Sequence, residues 1–547
     1  MGCGVWMVIG TCFCIALLCC AVLCCAVAGA LDPVQSLISV TLAYYSTPLQ
    51  SSGNGTSIHP YIHIYVPYPT PTPKMSLEKT DDAIAPAAAG PTFPTHNSDS
   101  SLNDVKLEYE NEGEIFKRGE GIEDFRTVSW IHTSMILLKL TFATGVLTIP
   151  SAMYVLGSFP GAINVLGWQG INTWGALVLG QFRMRHPGCH SIADMGMLVG
   201  GPIIRELCGI LFLVAFLIAA ASGMVGVSTA LNALSEHALC TNYFSIIAAL
   251  MVALCASVRK FEKIAWITWV GFGSIFVAVF IVVVGVTTRD RPAAAPQTGP
   301  YDFGYHVFNS PTFAAGITAS STIFCSGAGT PAFLPVVSEM RNPRHYRRAV
   351  LWCMGFVTAS YLSLSLVVYK YCGKWVASPS LGSAGPTVKK IAYGIGIIGL
   401  LVSGALYVHV SAKYIFVRIL RKSRHLQANT AIHWGTWLSC VGATAITSFL
   451  IASGVPIFNY LLSLAGSIAF APLALGCPGW LWIYDHPNHW KGNIWQKIMY
   501  LLHVILVGLA IFLTIGGTYG VIVQINDAYK NKLIDSAFSC ADNSNSS

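Results

Sequence analysis

Apolar runs of twenty or more residues alternate with short polar stretches along most of this chain of 547 residues. About 20 apolar residues in a helix span the roughly 30 Å hydrocarbon core of a bilayer. The pattern after Ile131 predicts eleven membrane-spanning helices and thus an all-α polytopic membrane protein. They are predicted at residues 131–156, 160–182, 206–232, 242–258, 264–286, 312–337, 349–369, 391–417, 433–453, 456–484 and 498–524.

Composition excludes a soluble enzyme, because 54% of the residues are apolar and only 10% are charged, against roughly 25% charged residues in soluble domains. Twelve of the 24 acidic residues lie between Glu78 and Asp124, and the rest of the chain is basic. The basic residues are scattered over short loops, whereas a nucleic-acid-binding protein gathers them on one face. The expected partner is therefore the lipid bilayer and not nucleic acid.

The loop charges predict the orientation of the helices. With a cytosolic N-terminus, seventeen Lys and Arg residues fall in cytosolic loops and eight on the opposite face. Cytosolic loops carry the excess of positive charge in membrane proteins. The N-terminus is therefore predicted to be cytosolic and the C-terminus external.

Four regions follow from this division. Residues 1–74 form an apolar, Cys-rich and then Pro/Thr-rich extension, in which residues 5–29 suit a signal peptide, a signal anchor or a span; a start at Met75 is the alternative. Residues 75–126 are predicted to be an acidic, disordered cytosolic tail. Residues 127–525 are the predicted membrane domain, and residues 526–547 a short external tail. The cysteines show no metal-ligand spacing, so neither a metal nor a cofactor is expected.

Two of the eleven segments are poor continuous helices. The first contains Thr141–Gly145 and then Pro150, and the sixth contains two glycines and a proline within Ser326–Pro331. Gly and Pro cost roughly 1 and 3 kcal/mol in a helix interior, and a break facing lipid would leave backbone groups unsatisfied. Both segments are therefore predicted to be broken around a cavity enclosed by protein.

The predicted breaks open two successive groups of five spans. An odd group size inverts the second group, which is the inverted-repeat pattern of secondary transporters. The alternative is that these glycines only permit close helix packing. At a break, free amides attract an anion and free carbonyls accept from a cation, which together match an α-amino acid. Thr330 is predicted as an N-cap before Pro331. The predicted binding residues are Phe142, Ala143, Thr144, Gly145, Val146, Phe324, Cys325, Ser326, Gly327, Ala328, Gly329 and Thr330.

Short motifs in this order resemble the amino acid/auxin permease family. They are Leu137-Leu138-Lys139 with Thr144-Gly145-Val146-Leu147 and Pro150, Phe324 with Val337 to Pro343, Ser463 to Ser467, and Pro478 with Trp482 and Tyr484. Phe182 to Pro187, Asp194 and Gly200-Gly201 most resemble the fungal neutral amino acid permeases of that family. The resemblance implies a bacterial leucine transporter (LeuT) type fold, a 5+5 inverted repeat plus one span, and symport of neutral amino acids, usually with protons. The chain departs from the family at Ser326, Ala328 and Gly329, where relatives often carry an aromatic residue or His.

The coupling ion is predicted to be a proton, mainly from the resemblance. No carboxylate lies at the predicted membrane centre, so Lys139 and His409 remain as titratable candidates. A sodium site is the less favoured alternative and would use Ser403 and Ser411 with carbonyls of the first span. Our hypothesis is that the Lys139 ammonium holds the first helix against the eighth span. The alternative is that Lys139 reaches the cytosolic surface.

Two functions other than transport are weighed, those of a receptor and of an enzyme. An amino acid receptor without net transport suits the long acidic tail, and a membrane acyltransferase would need a catalytic partner for His409 that its span does not offer. No enzymatic activity is therefore expected.

Cys240 and Cys372 are predicted to form an external disulfide, with Cys540 as a competing partner and free thiols as the alternative. The plasma membrane is the expected location, with the vacuole second.

Overall fold

A computed structural model describes residues 124–547 apart from 187, 260, 456, 532–537 and 545–547. The side chains of residues 143, 144 and 261–263 are also outside this description. The predictions for residues 1–123, including the signal or anchor segment and nearly all of the acidic tail, lie outside the described residues.

The described chain is helical, and its main helices are numbered here in chain order. They are α1 Trp130–Leu156, α2 Ser158–Arg185, α3 Ile192–Ser235, α4 Thr241–Ala256, α5 Phe261–Thr287, α6a Phe313–Cys325, α6b Phe333–Ser338, α7 Tyr346–Cys372, α8 Pro386–Leu420, α9 Ala431–Gly454, α10 Phe458–Asp485 and α11 Ile494–Lys530. Extended pairing in the described residues is limited to one isolated bridge between Val128 and Met340.

Each predicted apolar segment coincides with one of these helices or, at residues 312–337, with the pair α6a and α6b. Eight helices of the described chain are long and apolar enough to cross a membrane, and Thr241–Ala256 is a shorter apolar helix. The all-helical membrane class is thus confirmed, while the count of eleven spans and the inverted repeat stay predictions.

Helix α3 starts fourteen residues before its predicted segment because a capping box nucleates it. Ser191 accepts from the backbone N–H of Asp194, and the Asp194 carboxylate accepts from the Ser191 N–H, which satisfies two otherwise free donors. The helix bends at Gly201, where φ is 76° and Pro202 follows. At the other end of the chain, α11 continues to Lys530 and so enters the predicted C-terminal tail.

The predicted break in the first span is wrong, because α1 is helical from Trp130 to Leu156. Thr141 donates to Leu137 O at 3.1 Å, and Thr148 donates to Gly145 O at 3.0 Å, so both hydroxyls bond within the helix. A single glycine costs only about 1 kcal/mol relative to alanine, which the packing of α1 against the surrounding helices offsets.

The predicted break in the sixth span is confirmed. Helix α6a ends at Cys325, and residues 326–329 are followed by one 3₁₀ turn, Thr330–Ala332, before α6b. The predicted N-cap is wrong by one residue. Gly329 occupies the cap position, and Thr330 and Pro331 form the turn itself.

The predicted disulfide partner is also wrong. Cys240 is bonded to Cys540, with their Cα atoms 4.5 Å apart, whereas Cys372 is a buried free thiol. The C-terminal segment lies along the start of α4, where Thr241 donates to Ala541 O at 2.6 Å and Asn242 to Phe538 O at 2.5 Å. These contacts bring Cys540 to Cys240, while Cys372 ends α7 inside the protein.

Helix α1 lies at the centre of the described helices. It packs against α5, α6a, α7 and α8, and α8 in turn packs along α3 and α5. This arrangement places the middle of α1 beside the interruption of α6 on one side and beside α8 on the other.

Candidate functional site

The Lys139 side chain lies inside the protein. It is fully buried, and its Nζ donates to Gly399 O of α8 at 2.8 Å. Ser403 donates to the same carbonyl at 3.0 Å. No carboxylate of the described residues lies within ion-pair distance of this ammonium. The ammonium therefore joins α1 to α8, away from the surface position that the snorkelling alternative assigns to it.

Two tyrosines donate to neighbouring carbonyls of α1. Tyr407 of α8 donates to Leu140 O at 2.9 Å. The hydroxyl of Tyr361 in α7 lies 2.6 Å from Thr141 O and 3.1 Å from Ser326 O in the interruption of α6. The turn of α1 that follows Lys139 is thus tied to α6, α7 and α8 by side-chain donors.

Gly145 permits this close approach. A Cβ atom at residue 145 would lie 2.1 Å from the Tyr361 hydroxyl and 2.7 Å from Ser326 Cβ. Those separations are far shorter than van der Waals contact, so any side chain here would push Tyr361 and the α6 interruption away from α1.

Helix α2 presents two amides to the opposite side of the interruption. Asn172 donates to Phe324 O at 3.1 Å, and the Gln169 amide lies where a side chain of Gly327 would stand. Both side chains are fully buried, and Gln169 Oε1 and Nε2 have no hydrogen-bond partner among the described residues. Buried amides are costly unless they are paired, so α2 offers unused neutral donors and acceptors to this region.

Aromatic rings close the side of α8 that faces α3 and α10. The ring of Phe216 in α3 lies 6.2 Å from Tyr407 and 5.3 Å from Phe470 of α10, measured between centroids. Phe324, at the end of α6a, contacts Trp168 of α2 at 5.1 Å. Aromatic rings thus lie beside α8 and at the end of α6a.

Two of the four predicted coupling residues, His409 and Ser411, lie apart from the other two. Ser403 shares Gly399 O with Lys139, but Ser411 donates to Tyr407 O of its own helix at 3.0 Å. His409 Nδ1 lies 3.2 Å from Ala256 O, and its ring contacts Trp437 of α9. His409 thus faces α4 and α9. In the described chain no cluster of three or more His, Cys, Asp or Glu is arranged to hold a metal.

A buried ion pair closes the end of the protein predicted to be cytosolic. Lys413 of α8 pairs with Glu339, which follows α6b, and both side chains are almost fully buried. The backbone of Val128 makes two hydrogen bonds to the segment that contains Glu339. Val128 N donates to the backbone oxygen of Glu339 at 3.0 Å, and Arg341 N donates to Val128 O at 2.8 Å. The segment before α1 is therefore fastened to the end of α6b.

A loop closes the opposite end. Residues 303–309 bond to the turn between α1 and α2, with Ser158 N donating to His306 O at 3.1 Å and Phe159 N to Val307 O at 3.0 Å. Asp302 pairs with Lys374 at 2.8 Å. Hydrogen bonds from Lys374 and from the Gly304 backbone lower the pKa of the Asp302 carboxyl.

The sequence interpretation missed Tyr361, Tyr407, Gln169, Asn172 and the pair of Glu339 with Lys413. An available signal was the presence of Gln169 and Asn172 three residues apart in an apolar helix, since polar side chains in a membrane span face the protein interior. Nothing in the sequence distinguished Tyr361 from the other tyrosines of the spans. The side chains of Ala143 and Thr144 lie outside the described structure.

Apolar helices of membrane length, packed around an interrupted helix and a buried ammonium, define a multi-pass integral membrane protein with a polar interior. The profile of the family described as transmembrane amino acid transporter protein matches residues 126–523. The chain belongs to that family.

Relatives carry similar names. A protein of Gibberella moniliformis named transmembrane transporter is 45% identical over 79% of this chain and 91% of its own length. A Neurospora crassa protein named N amino acid transport system protein is 25% identical over 77% of this chain and 90% of its own. These matches confirm the family predicted from the motifs.

One similarity to a solved structure is distant. The crystal structure of MhsT in complex with L-phenylalanine aligns over 71% of this chain and 99% of that chain, with 11% identity and a TM-score of 0.49. At that TM-score the similarity does not establish a common fold.

Proposed function

We propose that this protein is a secondary transporter that imports neutral amino acids together with protons. Family membership supports an amino acid as the substrate. The observation that carries the coupling part is the buried Lys139 ammonium, which bonds an α8 carbonyl two residues before Thr141, and the Thr141 carbonyl shares the Tyr361 hydroxyl with the α6 interruption. The proposed architecture remains the LeuT type with two inverted groups of five helices and one further span.

The interruption of α6 is the proposed binding site for the substrate's main-chain groups. Residues 326–329 have left the helix, and the interior ends of half-helices and unwound backbone bind charged groups in transporters of this type. The α-carboxylate and ammonium of an amino acid need such complementary dipoles. The predicted residues Gly327, Ala328 and Gly329 place backbone at this point without bulky side chains.

Neutral side chains are favoured because the described groups around the interruption carry no charge other than Lys139. Tyr361, Gln169, Asn172 and Thr330 offer neutral donors and acceptors, and Phe324 offers an apolar surface. A basic substrate side chain would be buried there without a partner, at a large cost in free energy. The name of the Neurospora crassa relative agrees with an amino acid substrate.

Protons are favoured over sodium as the coupling ion. Ser403 and Ser411, the predicted sodium ligands, both donate to carbonyls of α8, and the Lys139 ammonium already lies beside Ser403. A lysine can release and regain a proton when its surroundings change between wet and dry. Lys139 is therefore the proposed proton carrier, exposed to water in one conformation and buried in the other.

Uptake by the full-length protein in proteoliposomes tests this function. Radiolabelled neutral, acidic and basic amino acids are offered to vesicles with an acidic exterior, and protein-free vesicles serve as the control. We expect uptake of neutral amino acids only. Saturable binding without accumulation would instead indicate a receptor, and uptake of acidic or basic amino acids alone would reject the neutral specificity. The proposed location is the plasma membrane, with a cytosolic N-terminus.

A further inference from the structure

We propose that Tyr361 is a positioning residue whose hydroxyl links α1 to the interruption of α6, so that the two segments move together during transport. This inference rests on the proposed function, because it assigns a role within the same site. The hydroxyl lies 2.6 Å from Thr141 O and 3.1 Å from Ser326 O. One side chain of α7 thus reaches the backbone of both segments.

Ser326 O depends on this hydroxyl. Ser326 lies past the end of α6a and is buried, and its carbonyl has no other hydrogen-bond donor in the part of the chain that the structure describes. A buried carbonyl without a donor loses the hydration that it had in water and gains nothing in return. Tyr361 therefore stabilises the interrupted conformation of α6.

Thr141 O is in a different situation. It lies within α1, where the amide four residues later, that of Gly145, is the regular helical donor. A phenol carries a single proton, so the hydroxyl donates fully to one of its two acceptors at a time. Because Thr141 O retains its helical donor, the Tyr361 hydroxyl can turn its hydrogen from Thr141 O to Ser326 O without leaving the Thr141 carbonyl unpaired. The contact thus has two discrete arrangements, as a moving part of a transporter requires.

The surroundings hold the Tyr361 ring in place. The ring stacks on Phe142 of α1 with a centroid distance of 6.0 Å and an angle of 22°. Phe142 is itself packed at 5.3 Å from Phe272 of α5. The missing side chain of Gly145 leaves room for the hydroxyl. The hydroxyl is therefore directed at the two carbonyls by packing from α1, which α5 supports through Phe142.

The competing explanation is that Tyr361 only fills space in the core. Tyr346 supplies a matched control, because it lies in the same helix, is buried, and donates to Ala176 O of α2 at 3.1 Å. Tyr361→Phe and Tyr346→Phe each delete one buried hydroxyl that donates to the backbone of another helix. Only the first deletion affects α1 and the interruption of α6.

Hydrogen–deuterium exchange of the purified full-length protein, read by mass spectrometry, tests the link without requiring transport. In Tyr361→Phe, the peptide covering residues 322–332 is expected to exchange about tenfold faster than in the parent protein, because the loss of one buried hydrogen bond changes a local opening equilibrium by about that factor. The peptide covering residues 138–150 is expected to exchange faster by a smaller factor, because Thr141 O keeps its helical donor. In Tyr346→Phe the same peptides are expected to be unchanged. Equal exchange in both variants overturns the proposal.

Uptake gives the second readout. Tyr361→Phe is expected to lower the maximal rate about tenfold, and Tyr346→Phe less than about twofold. A Tyr361→Phe protein that transports like the parent overturns the proposal. If the parent protein transports no amino acid, the proposed function fails and the exchange experiment still decides the link. If Tyr361→Phe is not recovered folded, Phe142→Leu keeps the hydroxyl but removes the stacked ring, and the same peptides are expected to exchange faster.

Discussion

Helices α1 and α6 carry similar local sequence but differ in structure. Each combines hydroxyl residues, glycine and a following proline, yet α1 is helical throughout whereas α6 is interrupted over residues 326–329. In α1 the glycine stands alone and Pro150 follows five residues later. In α6 two glycines and Pro331 fall within five residues.

The difference shows that the density of weak helix formers decides whether a buried helix breaks. The single glycine of α1 is offset by packing against the surrounding helices, and side chains of α7 and α8 donate to its carbonyls. The α6 segment lacks α-helical backbone hydrogen bonds over a full turn, and the Tyr361 hydroxyl donates to its Ser326 carbonyl. A helix interior thus tolerates one interruption of its pattern more readily than three close together.

Lys139→Met is expected to have the largest effect on transport. Methionine keeps the approximate length and removes the charge that joins α1 to α8, so uptake should fall to that of protein-free vesicles. Folding should persist, because an apolar side chain is cheaper to bury than an ammonium without a carboxylate partner.

Lys370→Met is the matched control, since Lys370 is an exposed residue at the end of α7. Uptake and detergent-solubilised melting temperature are measured for both variants. Unchanged uptake by Lys139→Met across pH 5 to 8 would reject the coupling role of Lys139.

Lys413→Met is expected to destabilise the protein most. It removes the ion pair that Lys413 makes with Glu339, which is almost fully buried, and breaking a buried pair costs about 3–5 kcal/mol. The free energy of unfolding is compared with that of the double variant Glu339→Gln/Lys413→Met. The double variant should recover much of the loss, and a double variant as unstable as Lys413→Met would show that the ion pair is not the cause.

Gly145→Ala and Gly327→Ala sharpen the comparison of α1 with α6. The new methyl at residue 145 meets the Tyr361 ring and Ser326, which are fixed by packing, so a loss of about 1–3 kcal/mol is expected. The methyl at residue 327 meets the end of the Gln169 side chain at 2.0 Å. That amide can turn aside, so the cost should be lower. Thermal melting checks the order, and a reversed order contradicts the described contacts.

Asp302→Asn is expected to have the smallest effect. Lys374 lowers the pKa of Asp302 in the folded protein, so the pair stabilises the loop above the ordinary carboxyl pKa, which is about 3.9. That stabilisation is lost as the pH falls through the lowered pKa. The melting temperature of Asp302→Asn should therefore lie slightly below that of the parent at pH 7, and the difference should vanish once the pH is below the lowered pKa. A difference that persists at low pH would assign the effect to something other than this charge.

The helices and the α6 interruption were predictable because each depends on local sequence. Runs of apolar residues give the positions of α1 to α11, and two glycines beside Pro331 give the break. The continuity of α1 was not predictable, since the helix is enclosed by α5, α7 and α8, whose residues are distant in the chain. The prediction of Cys372 as the disulfide partner of Cys240 was wrong for the same reason. Contacts of Thr241 and Asn242 with the distant C-terminal segment bring Cys540 to Cys240 instead.

Candidate site residues divide in the same way. Lys139 was noticeable as a lone charge in an apolar run, and its burial follows from the cost of exposing it to lipid. The separation of His409 and Ser411 from Lys139 was not predictable, because it depends on which face of α8 meets α1 and which meets α4 and α9. Helical periodicity alone does not identify these neighbours.

Concentrative uptake of a neutral amino acid tests the central claim most directly. Proteoliposomes containing the full-length protein are given a radiolabelled neutral amino acid under an inward proton gradient, an inward sodium gradient or no gradient. The account predicts accumulation above the external concentration only with the proton gradient, and its collapse when a protonophore is added. Accumulation driven by sodium alone, or equilibration that no gradient alters, would contradict proton-coupled symport.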